Sequence, residues 1–222
     1  RNSHASSDPL HADPMTRPIL VVMTRWPASG RCKRRLARTL GCSQAAEIQA
    51  RLISHTLAVA QALAKEETLR LHIAISGAGP RAWRRWLASV PEASISAQGR
   101  GDLGNRMRRE VLRARSVDPT APVILIGTDL PDLAPRDLIR AIELLRHSPL
   151  VIGPSRDGGY WLFGLGATAT GTPRWPFHSI PWGSDQVFQL TWQRACQRGL
   201  TPAQLDARND IDELEDLEGW LA

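Results

Sequence analysis

Pro122-Val123-Ile124-Leu125-Ile126-Gly127-Thr128-Asp129-Leu130-Pro131-Asp132 decides the fold. Four consecutive aliphatic residues with no polar alternation read as a strand buried on both faces, which is the habit of parallel sheets. Pro135 falls in the first turn of a helix that follows. Between strand and helix stands Asp129. A carboxylate at the exit of a buried strand is costly unless it is solvated, paired or bound to a metal. Hard divalent cations take one or two carboxylates together with phosphate oxygens, so Asp129 is read as a Mg²⁺ or Mn²⁺ ligand. Asp132 has a plainer alternative, capping the helix.

The same pattern extends outward. Residues 18–24 (Pro-Ile-Leu-Val-Val-Met-Thr) form a second buried strand, and residues 150–153 a third. Residues 69–75 alternate apolar with polar or small residues and read as a half-exposed strand. A short strand is expected at 94–97. Residues 159–165 form a strand antiparallel to its predecessor, because almost no chain separates the two. Helices are expected at 43–65 with Ser43 as cap, at 81–89, 103–115, 184–198 and 213–221, with a last strand near 201–205. Alternating strands and helices imply a three-layer α/β/α architecture with a mostly parallel sheet. In such sheets ligands bind beyond the carboxyl ends of the strands, at the point where strand order reverses.

The 222 residues suit one α/β domain at 17–222. Residues 1–16 read as a polar extension or an expression remnant, with Met15 as a natural start. No apolar run reaches the length of a membrane span. Three scattered cysteines without CxxC spacing argue against a disulfide scaffold or structural zinc, and cytoplasmic residence is the expectation. The formal net charge is +6, nearly all from arginine, since Lys33 and Lys65 are the only lysines. That field attracts phosphorylated ligands or nucleic acid without choosing between them. No RRM, KH or helix-turn-helix pattern accompanies it, so nucleic-acid binding stands as a distant alternative.

Further stretches could carry chemistry, each beside a structural reading. The loop after the first strand holds Gly30, Lys33 and Arg35, able to approach and charge-pair a phosphate or simply to form a solvated basic turn. Residues 98–107 place Gly101 and Asp102 at a helix start, as an anion-binding turn with a ribose contact or as a plain capped turn. Residues 153–162 contain Asp157-Gly158-Gly159 and then Tyr160 and Trp161. Asp157 could act as a base and an aromatic could stack on a base or sugar, whereas Asp-Gly-Gly is also a common turn. Residues 180–187 hold Trp182 and Asp185, the latter a helix cap or a catalytic acid. Residues 209–217 hold Asp210 and Asp212, either acids at a helix N-terminus or the completion of the metal site begun by Asp129. The histidines lack paired ligand spacing and are read as structural.

Six pieces in this order resemble the small bacterial GT-A-like proteins grouped with glycosyltransferases. These are relatives of the nucleotidyltransferases that make deazaflavin and molybdopterin dinucleotide cofactors. The pieces are Pro27-x-x-Gly30-x-x-Lys33-x-Arg35-Leu36, Gly101-Asp102-Leu103-Gly104, Gly127-Thr128-Asp129-x-Pro131-x-Leu133, Gly153-Pro154-x-x-Asp157-Gly158-Gly159-Tyr160, Pro181-Trp182-Gly183-x-Asp185 and Asp210-Ile211-Asp212. They cover about residues 18–221. The resemblance implies the GT-A, or nucleotide-diphospho-sugar transferase, fold. It implies a nucleotide with its phosphates near Gly30, Lys33 and Arg35, Mg²⁺ or Mn²⁺ on Asp129, and a late aspartate, Asp212 or Asp210, completing the site. It departs from the family at Arg34, where threonine is usual, at Glu213-Leu214, where Thr-Pro is usual, and in having a single Asp129 in place of DxD.

The activity this implies is glycosyl transfer from a nucleotide sugar to a small-molecule acceptor, with the metal neutralising the diphosphate leaving group. Tyr160, Trp161 and Trp182 are the expected substrate contacts, and Asp157 and Asp185 the expected catalytic carboxylates. The alternative is a nucleotidyltransferase that joins an NTP to a phosphorylated small molecule and releases pyrophosphate. The first loop lacks the GGxGxR signature of that class, which favours sugar transfer.

Overall fold

The computed structural model describes residues 16–169, 173–211 and 215–217. Its seven strands are β1 (Ile19–Arg25), β2 (Arg70–Ser76), β3 (Ser94–Ala97), β4 (Val123–Ile126), β5 (Leu150–Pro154), β6 (Tyr160–Leu165) and β7 (Ala203–Gln204). They form one sheet in the order β3-β2-β1-β4-β6-β5-β7. All adjacent pairs are parallel except those of β6, which runs antiparallel to β4 and β5. The mostly parallel sheet with an antiparallel member is therefore as expected. Strand order reverses between β1 and β4, so the carboxyl ends of those two strands open the crevice where ligands enter such sheets.

Among the described residues six α-helices cover the faces: α1 (Arg34–Leu40), α2 (Cys42–Lys65), α3 (Pro80–Trp86), α4 (Leu103–Val117), α5 (Pro135–Leu145) and α6 (Val187–Cys196). Leu20, Val22, Ile73 and Ile124 pack toward α2 and α5, while Val21, Val123, Leu125 and Phe163 pack toward α4 and α6. Each such side chain leaves water almost completely, a contribution of about 1.5–3 kcal/mol apiece. A satellite cluster joins Leu36 of α1 and Leu52 of α2 to Ile211 and Leu217, which anchors the late segment beside the first loop.

Several elements depart from the sequence reading. Strand β2 is buried along both faces because it lies between β1 and β3 under helices on each side. Its apparent polar alternation comes from His72 and Ala74, both buried. The imidazole is satisfied by Ser94 Oγ at 2.7 Å and Ser96 Oγ at 2.8 Å. Helix α2 begins at Cys42 with Gly41 at the cap position, so Ser43 lies within the helix. Gly41, at φ 86°, also ends α1, a helix hidden in the sequence by its basic residues. Of the expected helix at 213–221, residues 215–217 form a 3₁₀ turn and the remainder lies outside the described residues. No described helix is long and apolar enough to cross a membrane.

Candidate active site

The carboxyl ends of β1 and β4 open into a cleft of about 430 Å³. Arg25, Arg31, Lys33, Arg34, Arg35 and Arg106 line it, with Gln98, Thr128 and Asp129 among its polar contributors. Lys33 reaches this place through a left-handed backbone (φ 44°, ψ 55°) at the start of α1. Its side chain is 5% exposed, its Nζ lies 2.7 Å from Asp129 Oδ1, and it donates to the Ile211 carbonyl. Asp129 Oδ1 is buried and receives no well-directed hydrogen bond, while 46% of the side chain stays exposed and leaves Oδ2 open to the cleft. Below it, Thr128 Oγ1 accepts from Gln49 Nε2 at 3.2 Å, which ties the exit of β4 to α2.

The late segment comes to the same rim through its backbone. Ile211 N donates to the Asp129 carbonyl at 2.9 Å, Arg208 N to the Pro154 carbonyl at 3.0 Å, and Arg156 N to the Arg208 carbonyl at 3.1 Å. Asp210 is thereby set near both Asp129 and Asp157. Burial first, then those two carboxylates, push the Asp210 carboxyl above its ordinary value. A second cavity of about 80 Å³ lies on this side, lined by Asp129, Ser155, Tyr160, Trp161 and Asp210 among others. The structure thus brings Lys33, Arg35 and Asp129 together at one rim, with Asp157, Tyr160 and Asp210 beside them; Gly30 is not among the residues that line the cleft, and Asp212 lies outside the described residues. Among the described residues, no three His, Cys, Asp or Glu side chains converge on one metal position.

Other expected residues are placed differently. Asp102 Oδ1 accepts from Asn105 N at 2.7 Å and so caps α4, and Leu103 and Arg106 face the cleft where Gly101 and Asp102 were expected. Asp132 neither caps a helix nor faces the cleft: Arg208 Nη1 holds it at 2.6 Å, with Asp137 on the guanidinium's other arm. Asp157 Oδ1 accepts from Gly159 N at 2.9 Å within its own turn, although the side chain stays exposed. Asp185 packs by its main chain, since a Cβ on Gly158 would stand 2.1 Å from the Asp185 carbonyl oxygen.

The aromatics divide. A bulge sets Pro154 opposite Tyr160 and Gly153 opposite Leu162, which breaks the simple alternation along β6. Trp161 therefore lies across Gly153, 8% exposed, and donates to the Asp206 carbonyl at 3.2 Å; its faces are spent on packing rather than stacking. Tyr160 and Trp182 meet edge to face, ring centroids 6.2 Å apart, in an aromatic wall beside the start of α4. Burial pushes the Tyr160 phenol upward, so it stays neutral.

Residues 57–184 match the family described as "Uncharacterized protein conserved in bacteria (DUF2064)". The chain belongs to that family. None of the curated proteins matches the sequence of this DUF2064 protein. Among solved structures, it is similar to a Desulfovibrio desulfuricans G20 protein provisionally named a nucleotide-diphospho-sugar transferase. That pair shares 27% identity over 89% of this chain and 84% of the other, with a TM-score of 0.77. It is also similar to 4-diphosphocytidyl-2C-methyl-D-erythritol synthase of Anaerococcus prevotii DSM 20548 (12% identity, 92% and 94% covered, TM-score 0.60). A third is Rv0371c of Mycobacterium tuberculosis H37Rv in complex with manganese (18% identity, 92% and 98% covered, TM-score 0.54). The DUF2064 chain has the nucleotide-diphospho-sugar transferase fold.

Sequence reasoning missed three contributors to this rim. Gln98 stood at the head of a quoted stretch without a role, although a glutamine between a strand and a glycine turn is a detectable signal. Thr128 stood inside the quoted Gly127-Thr128-Asp129 piece without a role, and Arg208 carried no pattern of its own, because their partners lie far along the chain.

Proposed function

We propose that this protein is a transferase acting on a metal-bound nucleoside polyphosphate, and that its reaction is glycosyl transfer from a nucleotide sugar to a small acceptor. The observation that carries the reading is the meeting of Lys33 and Asp129 at the strand-order switch, with cations lining one side of the cleft and carboxylates gathered on the other. A diphosphate needs that asymmetry: positive charge around its oxygens, and carboxylates for the cation it carries.

The donor set suits a hard divalent ion. Asp129 Oδ1 is a buried oxygen without a directed hydrogen bond, and Asp210 is drawn beside it by the Ile211-to-Asp129 main-chain bond. Asp129 and Asp210 would hold Mg²⁺ or Mn²⁺, which supplies charge neutralisation of the phosphates and the leaving group. The manganese complex of the mycobacterial neighbour supports this choice of ion. Lys33 and Arg35 bind phosphate oxygens, the Lys33 chain pinned by Ile211 so that its charge is preorganised. Asp157, exposed and near Asp210, would accept the proton of an acceptor hydroxyl. Tyr160 lines the smaller cavity and packs edge to face against Trp182.

The second reading is nucleotidyl transfer, favoured by the six cationic side chains that line the cleft, a charge suited to a triphosphate, and by cytidylyltransferases among the structural neighbours. One experiment separates the two. Purified protein with Mn²⁺ is given nucleotide sugars and, separately, NTPs with phosphorylated sugars or polyols, with free nucleotide and pyrophosphate as readouts. Sugar-dependent release of nucleoside diphosphate supports glycosyl transfer, pyrophosphate release supports the second reading, and neither product across a broad panel removes both.

A further inference from the structure

A cavity of about 640 Å³ opens between residues 174–179 and the last turns of α6. That volume lies in the range of small-molecule sites, roughly 300–1,000 Å³. The cavity shares no lining residue with the cleft or with the smaller cavity beside it. Arg174, His178, Arg194 and Arg198 line it together with Trp175 and Ser179, and among the described residues no acidic side chain does. From Gly158 to Leu205 the chain carries a single acid, Asp185, whose main chain packs against Gly158 ahead of the opposite end of α6.

One of the four basic residues builds the cavity and three face it. Arg194 is spent on the frame: Nη1 donates to the Trp175 carbonyl at 3.2 Å and the His178 carbonyl at 2.5 Å, and Nη2 to the Ser179 carbonyl at 2.8 Å. This clasp holds Ser179 in a left-handed conformation (φ 54°), an unfavourable one for a residue with a Cβ. Arg198 lies over the Trp175 ring, 5.0 Å from its centroid, and its Nη1 donates to the Arg194 carbonyl at 3.1 Å. The other edge of that guanidinium has no partner among the described residues. His178 Nδ1 pairs with Ser179 Oγ at 2.7 Å, so Nε2 is the ring nitrogen left for a ligand. Arg174 is exposed, and its guanidinium has no hydrogen bond or ion pair among the described residues. The carbonyls that end α6 account for Arg194 and Arg198 as helix-end cations. They do not account for Arg174 and His178, which come from the facing loop.

We propose that this cavity is a second anion site, independent of the cleft, and that it takes a phosphate group, either free or carried as a monoester on a small molecule. Three donors around one concavity match the three terminal oxygens of a phosphate, where a carboxylate offers two. Stacking on Trp175 fixes the Arg198 guanidinium and leaves its edge for hydrogen bonds. The basic groups ring one hollow instead of forming a track, which favours a compact anion over a nucleic-acid strand.

The test follows the Trp175 indole N–H, assigned through Trp175→Phe, in proton–nitrogen correlation spectra of the full metal-free chain. The titrants are inorganic phosphate, glycerol 3-phosphate and a single-stranded DNA oligonucleotide. Phosphate or glycerol 3-phosphate should shift that resonance saturably at millimolar concentration. Arg174→Ala removes a side chain with no internal partner to lose and should weaken the affinity by about tenfold, with part recovered by Arg174→Lys. Lys33→Met, or Arg35→Ala should the first not fold, weakens the cleft and should leave the Trp175 titration unchanged. Equal affinity for the two small titrants assigns the site to free phosphate, and tighter binding of glycerol 3-phosphate assigns it to a monoester. The absence of a saturable shift overturns the proposal, as does the same midpoint in a chain carrying both Arg174→Ala and Arg198→Ala. Loss of the shift in the cleft variant traces it to the cleft and overturns independence. A resonance moved by the oligonucleotide alone gives the cavity to nucleic acid instead.

Discussion

The two halves of the sheet's carboxyl rim are built in opposite ways. On the β1–β2–β3 half, charged and amide side chains reach out to hold backbone: Lys33 to the Ile211 carbonyl, Arg25 to that of Arg31, Arg106 to that of Gly101, and Gln98 to those of Thr24 and Ala74. On the β4–β6–β5–β7 half, backbone holds backbone, through the Ile211-to-Asp129, Arg208-to-Pro154 and Arg156-to-Arg208 bonds, and leaves the Asp129 and Asp210 side chains for other work. The difference teaches what a substitution can separate. Removing a carboxylate should delete chemistry and spare the frame, whereas removing a basic residue should disturb both.

The largest effect is expected at Asp129. Asp129→Asn keeps the shape and the Ile211 main-chain bond but leaves the buried Lys33 ammonium without its counter-ion, so the chain should still fold, with a lower melting temperature than the wild type. Turnover should fall about a thousandfold, the order expected for losing charge stabilisation of a transferring diphosphate. A variant that loses its fold along with its activity would break the contrast between the halves.

Lys33→Met comes next and should move two quantities at once. Metal-free nucleotide affinity should drop by about tenfold or more, since a preorganised charge-assisted contact is lost. Stability should fall by about 1–3 kcal/mol, because the Ile211 carbonyl loses its donor in a site where Lys33 is 5% exposed. The ammonium also neutralises Asp129 in the free protein, so Mn²⁺ binding without nucleotide, followed by paramagnetic resonance, should tighten in the variant. Unchanged Mn²⁺ binding would mean that Lys33 and the cation do not compete for that carboxylate.

The acidic half has a side-chain exception, and it sharpens the comparison. Arg208, 17% exposed, spans Asp132 and the more buried Asp137 and so clasps the late segment to the start of α5. Arg208→Met should cost about 2 kcal/mol in urea unfolding, by leaving Asp137 without its cation. Mn²⁺ affinity should weaken, since Asp210 stands two residues on, and Arg208→Lys should recover part of both. Loss of stability with no change in Mn²⁺ affinity would limit the clasp to structure.

This division also explains what the sequence made legible. The buried strands β1, β4 and β5 stood out because unbroken aliphatic runs have few alternative fates, and Asp129 stood out because a charge at such a strand's exit demands a reason. Asp102 could not be resolved from sequence, because a capping aspartate and a ligand-binding one share the same local pattern; only the hydrogen bond it accepts from Asn105 distinguishes them. The packing of Trp161 across Gly153 was not legible because the bulge beside it is invisible in the residue pattern. Arg208 was missed because its meaning lies in acids more than 70 positions away along the chain.

The smallest effect tests how the basic half is supported from behind. Glu110 on α4 is fully buried, with Arg113 Nη1 at 2.6 Å from Oε1 and His72 Nε2 at 3.3 Å from Oε2, and it binds the edge strands to α4, whose first turn faces the cleft. Burial pushes its carboxyl upward, but the hydrogen bonds from His72 and Arg113 outweigh burial, and the group titrates below its ordinary value of 4.5. A carboxyl depressed by folding contributes stability above its unfolded value and loses that contribution as pH falls through the folded one. Glu110→Gln should therefore lower stability by about 1 kcal/mol at neutral pH, where the charge-assisted bonds are weakened to neutral ones. The gap between the two proteins in urea midpoint should hold down to pH 4.5 and close below it. A gap of the same size on both sides of that pH would assign the loss to shape rather than charge. Nucleotide affinity should change less here than at Lys33, because Glu110 supports the half of the rim proposed to bind phosphate without lining the cleft.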